Sequence, residues 1–351
     1  MPSLAIIGAG PSGLAAAWSL RHSPINVTVF EKSRGYSGRA ATRRRNGTRY
    51  DHGANYIKPT SDRITQLLTE ALPTGDLVDI GKAIWTFDAS GTIAPGDPES
   101  NAEPKWTYRT GVNTIGKHLA EASEATIHLQ TRVASVETTG NTNWDVIDTD
   151  AQRHGPFDAV LFTPPAPQTA DLLRASVMPN GLRTTLIDAV DAAAYTSQFT
   201  FVLAYDHRVA RPEGVYALLN TDREHPIAWL GFEDEKPGRV SGADADSLLI
   251  VQMAPHWTAA RMEVPPDELI DAVTTHAGAL LDTDLSTPAW TDHQRWRYAL
   301  PTRPADRDAL QHGAAYGLFF AGDALVGTGR VGRAMETGLT VAEQIRDDLS
   351  R

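Results

Sequence analysis

The chain has 351 residues, a formal charge of −11, 41% hydrophobic residues and no cysteine. That length is enough for two domains of ordinary size, the apolar content supports a real core, and the acidic balance disfavours nucleic acid and anionic membrane surfaces as partners. The missing cysteine excludes disulfides, Cys-ligated zinc, iron–sulfur clusters, thiol catalysis and cysteinyl attachment of a cofactor. No basic n-region with a signal-type apolar stretch opens the chain, and no run approaches the roughly 20 apolar residues of a membrane span, so a soluble cytoplasmic protein is expected.

The elements follow in chain order. Leu4 to Ile7 is an apolar run of the buried parallel-strand kind, Ser12 to Arg21 is a helix of small residues, and Asn26 to Phe30 is a second strand ending at Glu31. Arg34 to Tyr56 reads as a long ordered loop, Ser61 to Ala71 has helical spacing, and Gly91 to Pro104 is a Pro-, Gly- and acid-rich excursion. A helix over Thr114 to Ala122 precedes two alternating strands joined by a Gly140-Asn141 turn, and "FDAVLFTPPAP" is a buried strand stopped by prolines. From Leu172 to about Trp296, alternating runs and a helix around Asp267 to Leu281 imply an antiparallel sheet layered with helices. "YGLFFAGDALVGTGRVGRAMETG" then gives a buried strand, a glycine-rich loop and a closing helix.

The chemistry begins at "GAGPSG". Gly8 permits a sharp turn out of the strand, Gly10 lets backbone approach a pyrophosphate, and Gly13 lets the helix pack on the sheet, while the helix N-terminus faces the diphosphate. Glu31 stands 18 residues beyond Gly13, where a carboxylate accepts hydrogen bonds from ribose hydroxyls. "EKSRGYSGRAATRR" adds flexible backbone at Gly35 and Gly38 and a guanidinium at Arg39. Asp323 sits at a strand terminus suited to a polyol, before a glycine-rich entry into the last helix. Anchors at opposite ends of the chain suit an extended FAD better than an NAD held within one half. Arg43 to Arg45 read as a basic surface loop.

These stretches, with "DHGANYI", "KWTYRTGVNTIGKHL", "HQRWRYALPTRP" and "FFAGDALVGTGRVGRAMETG", resemble FAD-dependent oxidases of the amine oxidase superfamily, and within it the bacterial renalase-like proteins. The resemblance implies an α/β fold: a discontinuous Rossmann-like FAD-binding domain with an inserted α+β substrate domain containing a mixed or antiparallel sheet. The implied division gives 1–56, 107–165 and 297–351 to the FAD domain and 57–106 and 166–296 to the substrate domain. Non-covalent FAD would be held by Gly8, Gly10, Pro11, Ser12, Gly13, Gly38 and Arg39 at the diphosphate, and by Glu31, Lys32 and Val133 at the adenosine. Gly322, Asp323, Arg330 and Val331 would follow the ribityl chain and flavin, and Ala54 and Asn55 would run past the ring. Asn55, Tyr56, Trp106, His293 and Trp296 would border a small-molecule substrate. The implied reaction oxidises mis-reduced isomers of dihydronicotinamide dinucleotides, passing electrons to O2 and forming hydrogen peroxide and NAD(P)+.

Two alternatives stand beside it: an amine oxidase or desaturase, and a low-turnover flavin-binding sensor or scaffold. No residue spacing resembles a metal site. Isolated His52 and His256 read as structural, as do Trp85, Trp229 and Trp257. No compact Ser/His/Asp set or carboxylate pair appears, which fits chemistry carried by a flavin.

Overall fold

The structure is a computed structural model that describes residues 1–45, 47–139, 143–239 and 245–350. A five-stranded, all-parallel sheet runs in the order Leu318–Phe320, Ala159–Phe162, Ser3–Ile7, Asn26–Phe30, Thr126–His128. Its central strands are apolar on consecutive residues because both faces are covered, by helices on one and by a small antiparallel sheet with further helices on the other, leaving no solvent side to alternate toward. The helix Pro11–Leu20 starts with proline at its first turn and is built around Ala15, Ala16 and Ala17, all fully buried. Small residues there let the closing helix, Val331–Leu349, approach backbone to backbone: a Cβ on Gly338 would lie 2.0 Å from the Ser12 carbonyl oxygen.

The second layer is a seven-stranded sheet in the order Trp290–Arg303, Ala194–Tyr205, Ser247–Met253, Ile227–Phe232, Val215–Asn220, Ala83–Phe87, Ile93–Ala94. Its pairs are antiparallel except Val215–Asn220 with Ala83–Phe87. One face packs on Trp257 and the helix Ile270–Leu281, and the other packs on Tyr50, Ile80 and Tyr56. The Rossmann-like domain with a sheet-containing second layer is therefore the architecture of this chain. Among the described residues no helix is long and apolar enough to cross a membrane.

Several expectations change at the level of elements. The stretch Arg34 to Tyr56 is not all loop, for Thr42–Arg45 and Thr48–Asp51 pair as an antiparallel hairpin with Thr42 opposite Asp51. Its run of charged residues hid the two-residue period. Ser61 caps its helix by accepting from the Ile64 N–H, and the last turn, Leu67–Ala71, widens to π geometry. Thr126–His128 joins the edge of the parallel sheet rather than the small sheet of Val133–Thr139, Asn143–Asp148 and Arg153–Phe157. The expected Gly140-Asn141 turn lies outside the described residues.

Two expected domain boundaries cut through packed units. Helices Ala166–Ala175 and Asn180–Asp191 bury Ala170, Leu173 and Leu186 with Ala5, Ile7 and Val160, so they cover the parallel sheet instead of belonging to the inserted layer. The division at 297 falls inside the strand Trp290–Arg303. Proline-rich punctuation at Pro164, Pro165 and Pro167 marks the end of a strand, and says nothing of which layer the next helix joins.

Candidate cofactor and active site

The glycine loop leaves the first strand through Gly8 at φ +104°, where a side chain would also strike the Thr163 hydroxyl, 2.6 Å from the added Cβ. A Cβ on Gly10 meets nothing within 4 Å, so the loop has open space on the side a ligand would take, and a Cβ on Gly13 would lie 2.2 Å from the Gly8 carbonyl oxygen. The buried Glu31 carboxylate accepts from the Ala9 N–H at 2.9 Å and the Ser33 N–H at 2.8 Å, which ties the end of the second strand to the loop. Next to it, burial and then neighbouring Arg132 lower the Lys32 ammonium, which donates to the Gln168 side chain at 3.0 Å. Val133 is brought to the same end by the Thr131 N–H, which donates to the Glu31 carbonyl at 2.9 Å.

The two ends of the chain meet through a residue sequence reading passed over. The Thr337 hydroxyl accepts from the Gly322 N–H at 2.8 Å and lies 3.3 Å from the Ser12 hydroxyl. Across the cleft, Arg39 donates to Asp323 at 2.8 Å and to the carbonyls of Tyr298 and Ala299 at 3.1 and 2.9 Å. Its Nε hydrogen and one Nη2 hydrogen keep no partner among the described residues, so the guanidinium is fixed yet still able to donate. Gly38, at φ +51°, stands over Gly10, the added Cβ being 3.6 Å from the Gly10 Cα. The Tyr195 hydroxyl also reaches Asp323, at 3.2 Å; burial first, and the Asp323 charge second, push that hydroxyl up.

A second group of residues hangs from Asp51, whose surroundings sequence reading did not foresee. Asp51, Glu233, Lys236 and Arg239 are all fully buried. Lys236 donates to Asp51 at 2.9 Å and lies 2.8 Å from Glu233; Arg239 donates to Asp51 at 2.5 Å and lies 3.1 Å from Glu233. Asp51 also accepts from the Thr42 hydroxyl at 2.6 Å and the Val112 N–H at 3.0 Å. Burial would raise its carboxyl, but Lys236 and Arg239 overcome that and hold it below the usual carboxylate range.

From this anchor the chain runs past the cleft. Gly53 touches the Arg39 carbonyl oxygen so closely that a Cβ would lie 2.0 Å from it, and the Ala54 N–H donates to that same oxygen at 2.9 Å. Trp296 donates from its indole to the His52 carbonyl at 3.0 Å and stacks on the His52 ring at 5.5 Å. Burial, with Arg43 adding to it, pushes His52 down to about 4, so the ring is neutral near pH 7. The Asn55 amide donates to Gln252 at 3.2 Å, and Gln252 donates to the Gly53 carbonyl at 2.8 Å. Tyr56 lies 6.3 Å from Trp229, while Trp106 pairs backbone to backbone with Ile57 at 2.7 and 3.0 Å. Arg330, immediately before the closing helix that Val331 opens, approaches Tyr56 closely enough to oppose the upward push that burial gives its hydroxyl.

The buried Asn55 Oδ1, Trp106 Nε1, Trp229 Nε1 and His52 Nδ1 have no hydrogen-bond partner among the described residues. Orphaned polar atoms along the run from His52 to Asn55 and on two indoles fit a polar, ring-bearing ligand. Gln252, a polar residue in the apolar strand "SLLIVQM", is a signal the sequence carries, and Trp229, core by sequence, belongs to a buried cluster against which Tyr56 packs. His293 is the exception among the expected site residues. It lies on the strand of Trp296, three positions away, so its side chain faces the other side of the sheet and lies 3.5 Å from the exposed Asp267. Among the described residues no group of three or more His, Cys, Asp or Glu side chains has metal-binding geometry.

Comparison with known proteins agrees with this fold. The family model for flavin-containing amine oxidoreductases matches residues 89–346, and that for an NAD(P)-binding Rossmann-like domain matches residues 6–71. Protoporphyrinogen oxidase 2 of Arabidopsis thaliana is 39% identical over 67 residues, 19% of this chain and 13% of that protein. Flavin-containing amine oxidase B of Cavia porcellus is 39% identical over 122 residues, 32% of this chain and 23% of that protein. The chain thus matches less than a quarter of the length of either relative. Cyclohexylamine oxidase from Brevibacterium oxydans shares the fold with a TM-score of 0.75 at 16% identity, covering 100% of both chains. Putrescine oxidase bound to putrescine does so at 0.74 and 14%, over 100% of this chain and 99% of the other. With the family model spanning most of its length, the chain belongs to the flavin-containing amine oxidoreductases.

Proposed function

We propose that this family member is a renalase-like oxidase that takes hydride from mis-reduced isomers of dihydronicotinamide dinucleotides and passes the electrons to O2, giving NAD(P)+ and hydrogen peroxide. The observation that carries the reading is the wall beyond Asn55. Tyr56, Trp106, Trp229 and Gln252 offer flat aromatic surface with indole and amide N–H groups, and Glu103, the carboxylate whose charge reaches Tyr56, is ion-paired with Lys58. A neutral ring bearing a carboxamide suits such a wall, and Arg330 at its edge suits the phosphates of a dinucleotide.

In this reading Gly8, Gly10, Pro11, Ser12, Gly13, Gly38 and Arg39 hold the diphosphate of FAD, Glu31 its ribose, and Lys32 and Val133 flank the adenine. Gly322, Asp323, Arg330 and Val331 follow the ribityl chain, and Ala54 and Asn55 border the ring. When bound, FAD supplies the hydride acceptor and the route of electrons to O2. The protein's own part is placement: Gln252 orients the Asn55 amide, Trp106 and Tyr56 confine a flat substrate, and neutral His52 with Trp296 closes the side of the cleft against water.

A second reading, oxidation of an amine, is favoured by the Tyr56 and Trp229 pair, whose ring faces suit a cation, and by the family itself. Anaerobic titration of the FAD-loaded protein separates them. Bleaching of the flavin by isomeric NADH, with peroxide appearing once O2 is admitted, is expected. Bleaching by amines alone would replace the proposal with the second reading, and no bleaching by either donor would leave a binding protein without turnover.

A further inference from the structure

A cavity of about 580 Å³ opens between the hairpin Thr42–Asp51, the segment after Glu31 and the helix Thr114–Ser123. It is lined by five cations, among them Arg34, Arg43, Arg44 and Lys117, against one carboxylate, Asp292. That carboxylate is already spent: both its oxygens accept from Arg43 at 3.0 Å and one also accepts from the Tyr50 hydroxyl at 2.5 Å. Arg34, Arg44 and Lys117 make no side-chain hydrogen bond or ion pair with any described residue. In a chain of net charge −11, gathering uncompensated cations around one concavity costs repulsion that scattered placement would avoid.

We propose that this cavity is a binding site for a small oligophosphate-bearing molecule, separate from the FAD cleft. Three cations with unused N–H groups on three different segments converge on one concave space, which is the arrangement that grips phosphate oxygens from several directions. The concavity favours a small ligand, and the acidic remainder of the surface repels a membrane or a nucleic acid. Arg43 to Arg45 are a basic surface stretch by sequence, and the fold adds Arg34 and Lys117 to them.

The test is isothermal titration of the FAD-loaded protein with inorganic pyrophosphate at low ionic strength. Saturable one-to-one binding is expected, weakened at least tenfold by each of Arg34→Ala, Arg44→Ala and Lys117→Ala and screened by added salt. Arg174→Ala, at an exposed site on another helix, serves as the control and leaves binding unchanged. All of these residues lie at or near the surface, and unchanged flavin absorbance confirms that each variant is folded. Absence of saturable binding to the parent, or equal binding by the parent and all three variants, overturns the proposal.

Discussion

The glycine-loop end of the cleft and the Asp51 end are held in opposite ways. At the first, backbone touches backbone: Gly38 stands over Gly10, Gly338 against Ser12, and the one ion pair, Arg39 with Asp323, leaves its arginine 30% exposed. At the second, four fully buried charges neutralise one another and fix the short run from Asp51 to Tyr56. The first end is shaped to admit a ligand by the absence of side chains, whereas the second is rigid without any ligand. Breaking the second should therefore damage the whole fold, and breaking the first should chiefly loosen the cofactor.

The largest expected effect is that of Asp51→Asn, which leaves Lys236 and Arg239 undercompensated; loss of one partner from a buried ionic cluster costs about 3–5 kcal/mol. Urea unfolding of the FAD-loaded protein measures it, and a loss below about 1 kcal/mol, in the range of surface pairs, would erase the contrast between the two ends. The same cluster weakens in acid: Asp51 titrates lower in the folded chain than in the unfolded one, so its contribution is present above the ordinary carboxylate range and disappears as pH falls through the folded value.

His52 adds a second acid sensitivity with its own window. Its folded value of about 4 lies below the ordinary 6.5, so the unfolded chain takes up the proton first, and stability is full above 6.5 and declines toward 4. The loss is on the order of 3 kcal/mol at most. His52→Phe keeps an aromatic ring against Trp296 and should flatten that part of the stability–pH profile; an unchanged slope would remove His52 as its source.

At the glycine end the effects are smaller. Gly338→Ala forces the closing helix away from Ser12 and should cost about 1–3 kcal/mol, read as a lowered Tm. Glu31→Ala should weaken FAD retention by about 1–3 kcal/mol, and a variant as yellow as the parent after dialysis would take Glu31 out of the cofactor site. Least of all, His293→Ala should change stability by no more than about 0.5 kcal/mol and leave turnover intact, because the side chain lies on the outer rim of the sheet.

Much of the cofactor end was legible because its signals are local. A strand, a glycine loop, a helix and an acid follow one another within 31 residues, and hydrogen bonds over short separations carry them. The closing segment was legible for the same reason, since Asp323 ends a strand and glycines precede a helix. What escaped were pairings across the chain. Thr337 carries no local signal, since its role comes from Ser12 and Gly322 beside it. Glu233, Lys236 and Arg239 carry no local sign of burial, and only contact with Asp51 makes them core.

His293 and Trp296 illustrate the limit most directly. Nearness in sequence suggested a shared cavity, yet an odd spacing on a strand sends two side chains to opposite faces, and which face meets the cleft depends on the sheet's place against the other layer. By itself, the sequence determined the strand–loop–helix unit with its anion-ready turn, because backbone conformation and helix dipole act within a few residues. Tertiary structure alone decided which charges are buried in mutual contact, which cations stand free around a cavity, and which aromatic rings form the wall of the cleft. Those outcomes rest on contacts between segments far apart in the chain, whose energies no local pattern carries.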